Sequence, residues 1–356
     1  MKKLLMAVFA LCVVLGLAAC GDKEADYKLG MGVEVNTSSS TDATAEKAGN
    51  AQVDATVAAV VLDAEGKIVV CRLDAVQNKV AVSATGEVTV PTTFKTKMEL
   101  GDDYNMAKYG QSMDWNGDGV VKEWYEQAKA FENYVVGMTA ADVKAIETKA
   151  VEGSGYIIAV DDALLSAGCT IQITDFKAAV AKACEDEQGV SFKSNGEFTL
   201  GVAANSYDDG SANAGEEAGS VLVYSDFAAS VVAGGKIVAS LNDAIQPKFA
   251  VSATGTLTAT FVDTKRCLKE DYNMSKYGQS MDWNGDGKVE EWYVQSLAFS
   301  KHVVGMTAAE VEAMGTQTVE GSGYIISSDE ALLSAGCTIQ ITGIKAVVAE
   351  SVNNAR

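Results

Sequence analysis

The string SAGCTIQIT occurs twice, at Ser166–Thr174 and at Ser334–Thr342, 168 residues apart. It does not travel alone. DYNM recurs at Asp103 and Asp271, YGQSMDWNGDG at Tyr109 and Tyr277, VVGMTAA at Val135 and Val303, and VEGSGYII at Val151 and Val319, all at that spacing. Upstream, GKIV at Gly66 and Gly235 and VSATG at Val82 and Val251 are offset by 169, so one single-residue gap reconciles the two halves. One module is written twice, and any fold must satisfy the same local instructions in both places. The copies are expected at residues 27–186 and 196–356, each of single-domain length.

The chain opens with two lysines and a short apolar run ending Leu17-Ala18-Ala19-Cys20. This pattern reads as a signal peptide over 1–19, cleaved by the bacterial lipoprotein peptidase before Cys20. Acyl chains on Cys20 and a tether over 20–26 would then hold the protein outside the cytoplasmic membrane. Loss of Lys2 and Lys3 takes the net charge from −20 to −22 (−20 − 2), which disfavours nucleic acid as a partner. Of the remaining cysteines only Cys169 and Cys337 correspond between copies, which excludes a shared disulfide framework. The one histidine, His302, aligns with Tyr134, so no histidine chemistry is common to both.

Within a module, strand signals precede helix signals, which predicts an α+β fold of antiparallel strands followed by helices, in two tandem copies. ATVAAVVLDAEGKIVVCRLD is two β-rich runs turning at Glu65-Gly66, and KVAVSATGEVTV adds one or two strands. The serine- and acid-rich stretch after Asn36 matches the one after Asn205 and reads as a long loop after the first strand. Trp124, Ala128, Phe131 and Val135 share one helical stripe. Thr139 with Asp142, and Thr307 with Glu310, mark helix starts. A last helix is expected to be capped by Thr174, with Phe176, Ala179, Val180 and Ala183 inward.

Two elements suggest chemistry. Asp114-Trp-Asn116-Gly-Asp118-Gly119 and Asp282-Trp-Asn284-Gly-Asp286-Gly287 match the first half of a calcium loop, with the carbonyls of Val120 and Lys288 at the seventh position. Tyrosine stands at the twelfth position, so Glu123 and Glu291 are the expected substitutes for the missing acid. The competing reading is a turn leading into the helix. Trp115 and Trp283 lie between the ligand positions, where a ring could stack on a sugar or flavin or pack on the surface. In the second element, Gly168-Cys169-Thr170 and Gly336-Cys337-Thr338 place a glycine and a hydroxyl ahead of a helix start, where an anion is favoured. Here the competing reading is a buried strand, because Cys169, Ile171 and Ile173 alternate.

The GKI turn between β-runs, followed by a small-residue loop and an alanine-rich helix, resembles the bacterial FMN-binding domain. That family includes the C subunit of the sodium-pumping NADH:quinone oxidoreductase and flavinylated extracytoplasmic lipoproteins. The module as a whole is also similar to tandem-repeat lipoproteins of gut Firmicutes. The family's attachment motif, Ser/Thr-Gly-Ala-Thr/Ser, falls on Ala167-Gly168-Cys169-Thr170 and Ala335-Gly336-Cys337-Thr338, where alanine replaces Ser/Thr and cysteine replaces alanine. The resemblance implies FMN, covalent at Thr170 and Thr338 or not, a flavin transferase, a membrane redox partner and electron transfer at the cell surface. The alternative is a calcium-stabilised binding or adhesion lipoprotein without catalysis. A hydrolase has the weakest case, since no serine–histidine pair or zinc cluster is present. An electron carrier or binding protein is therefore expected ahead of a catalyst.

Overall fold

The computed structural model describes residues 24–106, 108, 114, 117, 119–260, 263–274, 276, 282–283, 285 and 287–356. Cys20 and the leader, Trp115, Asn116, Asp118, Asn284 and Asp286 lie outside the described residues.

The first copy contributes β1 (Ala25–Asn36), β2 (Gly49–Leu62), β3 (Ile68–Val82) and β4 (Val88–Thr89), then α1 (Lys97–Leu100), α2 (Trp124–Tyr134) and α3 (Ala140–Ala145). A small hairpin, β5 (Thr148–Ala150) and β6 (Ile157–Ala159), precedes α4 (Asp162–Ser166) and α5 (Thr174–Cys184). After β7 (Val190–Ser194) the order repeats with β8 (Thr199–Asp208), β9 (Gly219–Ala233), β10 (Lys236–Ile245), β11 (Lys248–Val251) and β12 (Leu257–Thr260). Then follow α6 (Lys265–Leu268), α7 (Trp292–His302), α8 (Ala308–Glu312), β13 (Thr316–Thr318), β14 (Ile325–Ser327), α9 (Glu330–Ser334) and α10 (Thr342–Asn353). The fold is α+β with antiparallel sheets. The first large sheet runs β4-β3-β2-β1-β7; in the second, β9 pairs with β8, β10 and β11, and β12 follows β11. The single strand β3 has two counterparts, β10 and β11, because Pro247 stands where Asn78 does and has no N–H for the ladder.

The copies do not make separate cores. On β1, Leu29, Met31, Val33 and Val35 face one side, and with Val57 and Val61 they pack against Val202, Phe227, Val231 and Leu241 of the second sheet. The alternate residues, Ala58, Val60, Leu62 and Leu73, face α2 and α5. Both faces of each sheet are thus apolar, and the layers run helix, sheet, sheet, helix. The long loops interlock reciprocally. Val88 N–H donates to Asn213 Oδ1 at 2.7 Å and Leu257 N–H to Asp42 Oδ1 at 2.7 Å. Ion pairs cross the same boundary, a buried one from Arg266 to Asp186 at 3.0 Å and one from the exposed Arg356 to the buried Glu132 at 3.0 Å.

Close helix–sheet approach explains two matched glycines. A Cβ on Gly32 would lie 2.4 Å from Ala179 O on α5, and one on Gly201 would lie 1.9 Å from Ser351 O on α10. Several local expectations hold: the hairpin at Glu65-Gly66, the loop after Asn36, the helix carrying Trp124, and the capping boxes at Thr139 and Thr307. Thr174 is the first residue of α5 rather than its cap, a position taken by Ile173 without a side-chain bond.

Candidate ligand-binding site

Two cavities open on the outer faces of the sheets, one per copy, and corresponding residues line them. Aromatic and apolar walls come from Tyr104 and Tyr272, Met106 and Met274, Trp124 and Trp292, Tyr156 and Tyr324, and Ile171 and Ile339. Polar groups come from Asp54 and Asp226, Gln77 and Gln246, Lys97 and Lys265, and Gln172 and Gln340. The two aspartates match on one side of their strands, where Asn36 pairs with Asp54 across β1–β2 and Asn205 with Asp226 across β8–β9; on the other side Val76 pairs with Ala55 and Ile245 with Ser225, a register shifted by two residues.

Each repeated motif places one part of this wall. Lys97 begins α1, whose N-cap Thr96 accepts from Glu99 N–H, while buried Asp74 Oδ1 accepts Met98 N–H at 3.2 Å. Lys265 is held likewise by Thr264 and by Asp243 Oδ1 on Arg266 N–H at 3.0 Å. In DYNM, the tyrosine and methionine face the cavity. The asparagine between them takes the left-handed conformation, φ 58° at Asn105 and 57° at Asn273, which this residue type tolerates. VEGSGY folds as the β5–β6 hairpin with Gly153 and Gly155 at positive φ, and presents Tyr156, 41% exposed, at the rim. On the second copy Trp283 rests on Tyr324, ring centroids 5.1 Å apart.

The twice-written string is the strap between α4 and α5, not a strand. Gln127 Oε1 on α2 accepts Thr170 N–H at 2.8 Å and Ile171 N–H at 2.9 Å, and Gln295 repeats this at 2.7 and 2.9 Å. Those bonds aim Ile171 and Gln172 into the cavity. Thr170 is 2% exposed, with its hydroxyl 3.3 Å from the same Gln127 oxygen; Thr338 matches it at 3.2 Å from Gln295. Burial lifts the Cys169 and Cys337 thiols to about 12, so neither is a nucleophile near neutral pH. Gly168, at φ 88°, makes the turn before them, and Gly336 does the same. Cys169 and Thr170 therefore serve the core, and their neighbours serve the cavity.

The two glutamates of the calcium expectation have backbone partners. Glu123 turns both oxygens to Met106 N–H, at 3.0 and 2.9 Å, and Glu291 turns to Met274 N–H at 3.2 and 2.9 Å. They tether the cavity methionines to the helix start. Asp114 Oδ2 accepts Gly119 N–H at 2.9 Å and Asp282 Oδ2 accepts Gly287 N–H at 2.9 Å, which closes the turn from its first to its sixth position. Val120 is exposed, and Lys288 follows the second turn. Among the described residues no group of three or more His, Cys, Asp or Glu is placed to hold a metal. All five cysteines there are free.

The two cavities differ in one corner. Tyr207 and Tyr224 stack at 5.2 Å and 16° in the second, where Ser38 and Gln52 stand in the first. The volumes follow, about 180 Å³ against 310 Å³. Asp175 of the first cavity corresponds to Gly343, where a Cβ would lie 2.1 Å from Asp226 Oδ2. Burial raises Asp226 to about 7 although Lys265 and the Tyr207 hydroxyl oppose it. In the first cavity Gln52 Nε2 donates to Asp54 Oδ2 at 2.7 Å.

Sequence reasoning missed Lys97, Lys265, Asp54, Asp226, Asp74 and Asp243. Thr-Lys recurs at 96–97 and 264–265 with the repeat spacing, a signal that was available. Asp54 and Asp226 were hidden because the β2–β3 hairpin differs in length between copies, which breaks the fixed offset. No protein-family model, curated protein or solved structure matches this chain.

Proposed function

We infer that the protein is an extracytoplasmic, lipid-anchored binding protein that takes one small polar ligand in each repeat. One observation carries this reading: the same set of rings, carboxylate, lysine and amides is built twice around a cavity, by motifs whose other residues only hold it in place. Planar amide and carboxylate groups facing Trp and Tyr faces suit a ligand with hydroxyls or charged ends and one flat face.

The flavin reading takes a narrower form in this geometry. Thr170 and Thr338 are buried behind Gln127 and Gln295, which speaks against phosphoester attachment in the folded chain. A flavin ring lying against Trp124 and Tyr156 is the form the cavity walls support. Calcium on the acidic loops would act as a structural ion.

Trp124 and Trp292 are the internal reporters. Titration of the intact protein with a panel of monosaccharides, free amino acids and FMN should quench tryptophan emission for one class. Trp124→Phe should remove the first-cavity share and keep the second. Emission that no member of the panel alters would count against small-ligand binding.

A further inference from the structure

Lys265 is anomalous among the described lysines. It is 6% exposed and lines the second cavity. A buried ammonium carries three N–H donors, yet its Nζ has one hydrogen-bond partner among the described residues, Tyr224 Oη at 2.8 Å. No carboxylate there lies within ion-pair distance of it. Rings surround it instead: Tyr224, Tyr272 and Trp292 have centroids 4.5, 4.7 and 5.5 Å from Nζ. A lysine short of acceptors in a cavity wall gives up a proton more readily than a surface lysine, and the neutral amine so formed is a nucleophile.

We propose that Lys265 captures small carbonyl compounds, aldehydes or ketones including open-chain reducing sugars, as an imine in the second cavity. The Nζ lone pair forms a bond to the carbonyl carbon while the C=O π pair moves to oxygen, which takes a proton to give a carbinolamine. Loss of water then leaves the C=N bond, with Asp226 in its acid form supplying the proton to the departing hydroxyl and the nitrogen returning one. One carbonyl and one amine give one imine and one water, and no oxidant or reductant is needed. The three rings that face the ammonium face the protonated imine equally well, because it carries the same charge in the same place. Its fewer N–H donors suit a site with one acceptor.

The charges around Nζ fit this role. Asp226 and Tyr224 face it from β9, Asp209 and Tyr207 from the end of β8, and Asp243 from β10. Tyr272 and Lys276 approach from the segment after α6. Burial lowers the lysine to about 8 even though Asp226 and Asp209 act to raise it.

The proposal needs the second cavity to admit small molecules, as the binding reading does, and the test separates the two. Intact protein is treated with glycolaldehyde and sodium cyanoborohydride at pH 7, and reduced adducts are mapped by peptide mass spectrometry. Lys265 should be modified at least about tenfold faster than the exposed Lys236 and Lys248, with the advantage shrinking above pH 10. Tyr224→Phe, which removes the one acceptor, should retain the fast modification. A Lys265 that reacts no faster than Lys236 overturns the proposal. If a neutral ligand still quenches Trp292 in that case, the binding reading stands without it.

Discussion

Cut into its two sequence copies, 24–195 and 196–356, the protein is expected to lose cooperative folding in both halves. Each half would expose the sheet face carrying Leu29, Met31, Val33, Val57 and Val61, or Leu200, Val202, Phe227, Val231 and Leu241. Each such side chain is worth about 1.5–3 kcal/mol when buried, so five together rival the whole stability of a domain, about 5–15 kcal/mol. The buried pair Asp186 and Arg266 would also be separated, at a cost of several kcal/mol. Circular dichroism and urea titration of the halves test this. Mixed halves should recover a sigmoidal transition. A cooperative transition in either isolated half would mean that the repeat is also the folding unit.

The second large effect is on pH. Burial raises Asp74 and Asp226 to about 7 and Asp243 to about 6. In the unfolded chain all three titrate near 4. Between pH 4 and 7 the folded state therefore holds more protons than the unfolded state, and stability falls as pH rises through that window. Each tenfold change in proton affinity is worth roughly 1.4 kcal/mol, so three such groups amount to several kcal/mol even after generous relaxation. The melting temperature should drop by several degrees from pH 5 to pH 7.5, and Asp226→Asn should flatten part of the slope. A flat or rising profile over that range would show that these carboxyls ionise without cost.

Much of the local structure could be read from the chain. The run of strands ahead of helices, the hairpin at Gly66, the helix stripe of Trp124, Ala128 and Phe131 and the capping boxes are all short-range signals of period or cap. The shared core could not be read this way. Residues such as Leu29, Val33 and Val57 look the same whether their face meets a helix or another sheet, and the repeat invited two independent cores. The same limit explains the site. SAGCTIQIT drew attention to Cys169 and Thr170 as reactive types, while the structure turns them inward and puts Ile171 and Gln172 on the cavity. Glu123 was likewise chosen by its place after the acidic loop, but its partner is the Met106 amide, a contact that sequence spacing does not reveal. Lys97 and Lys265 start helices of only four residues, too short to carry a periodic signal.

The central claim is that the two corresponding cavities both bind ligand, and calorimetric stoichiometry tests it most directly. The compound that quenches the tryptophans should titrate to two molecules per chain. Trp124→Ala and Trp292→Ala should each reduce the count to one, and the double variant should reduce it to none. A count that stays unchanged in all three variants would place binding elsewhere and contradict the account.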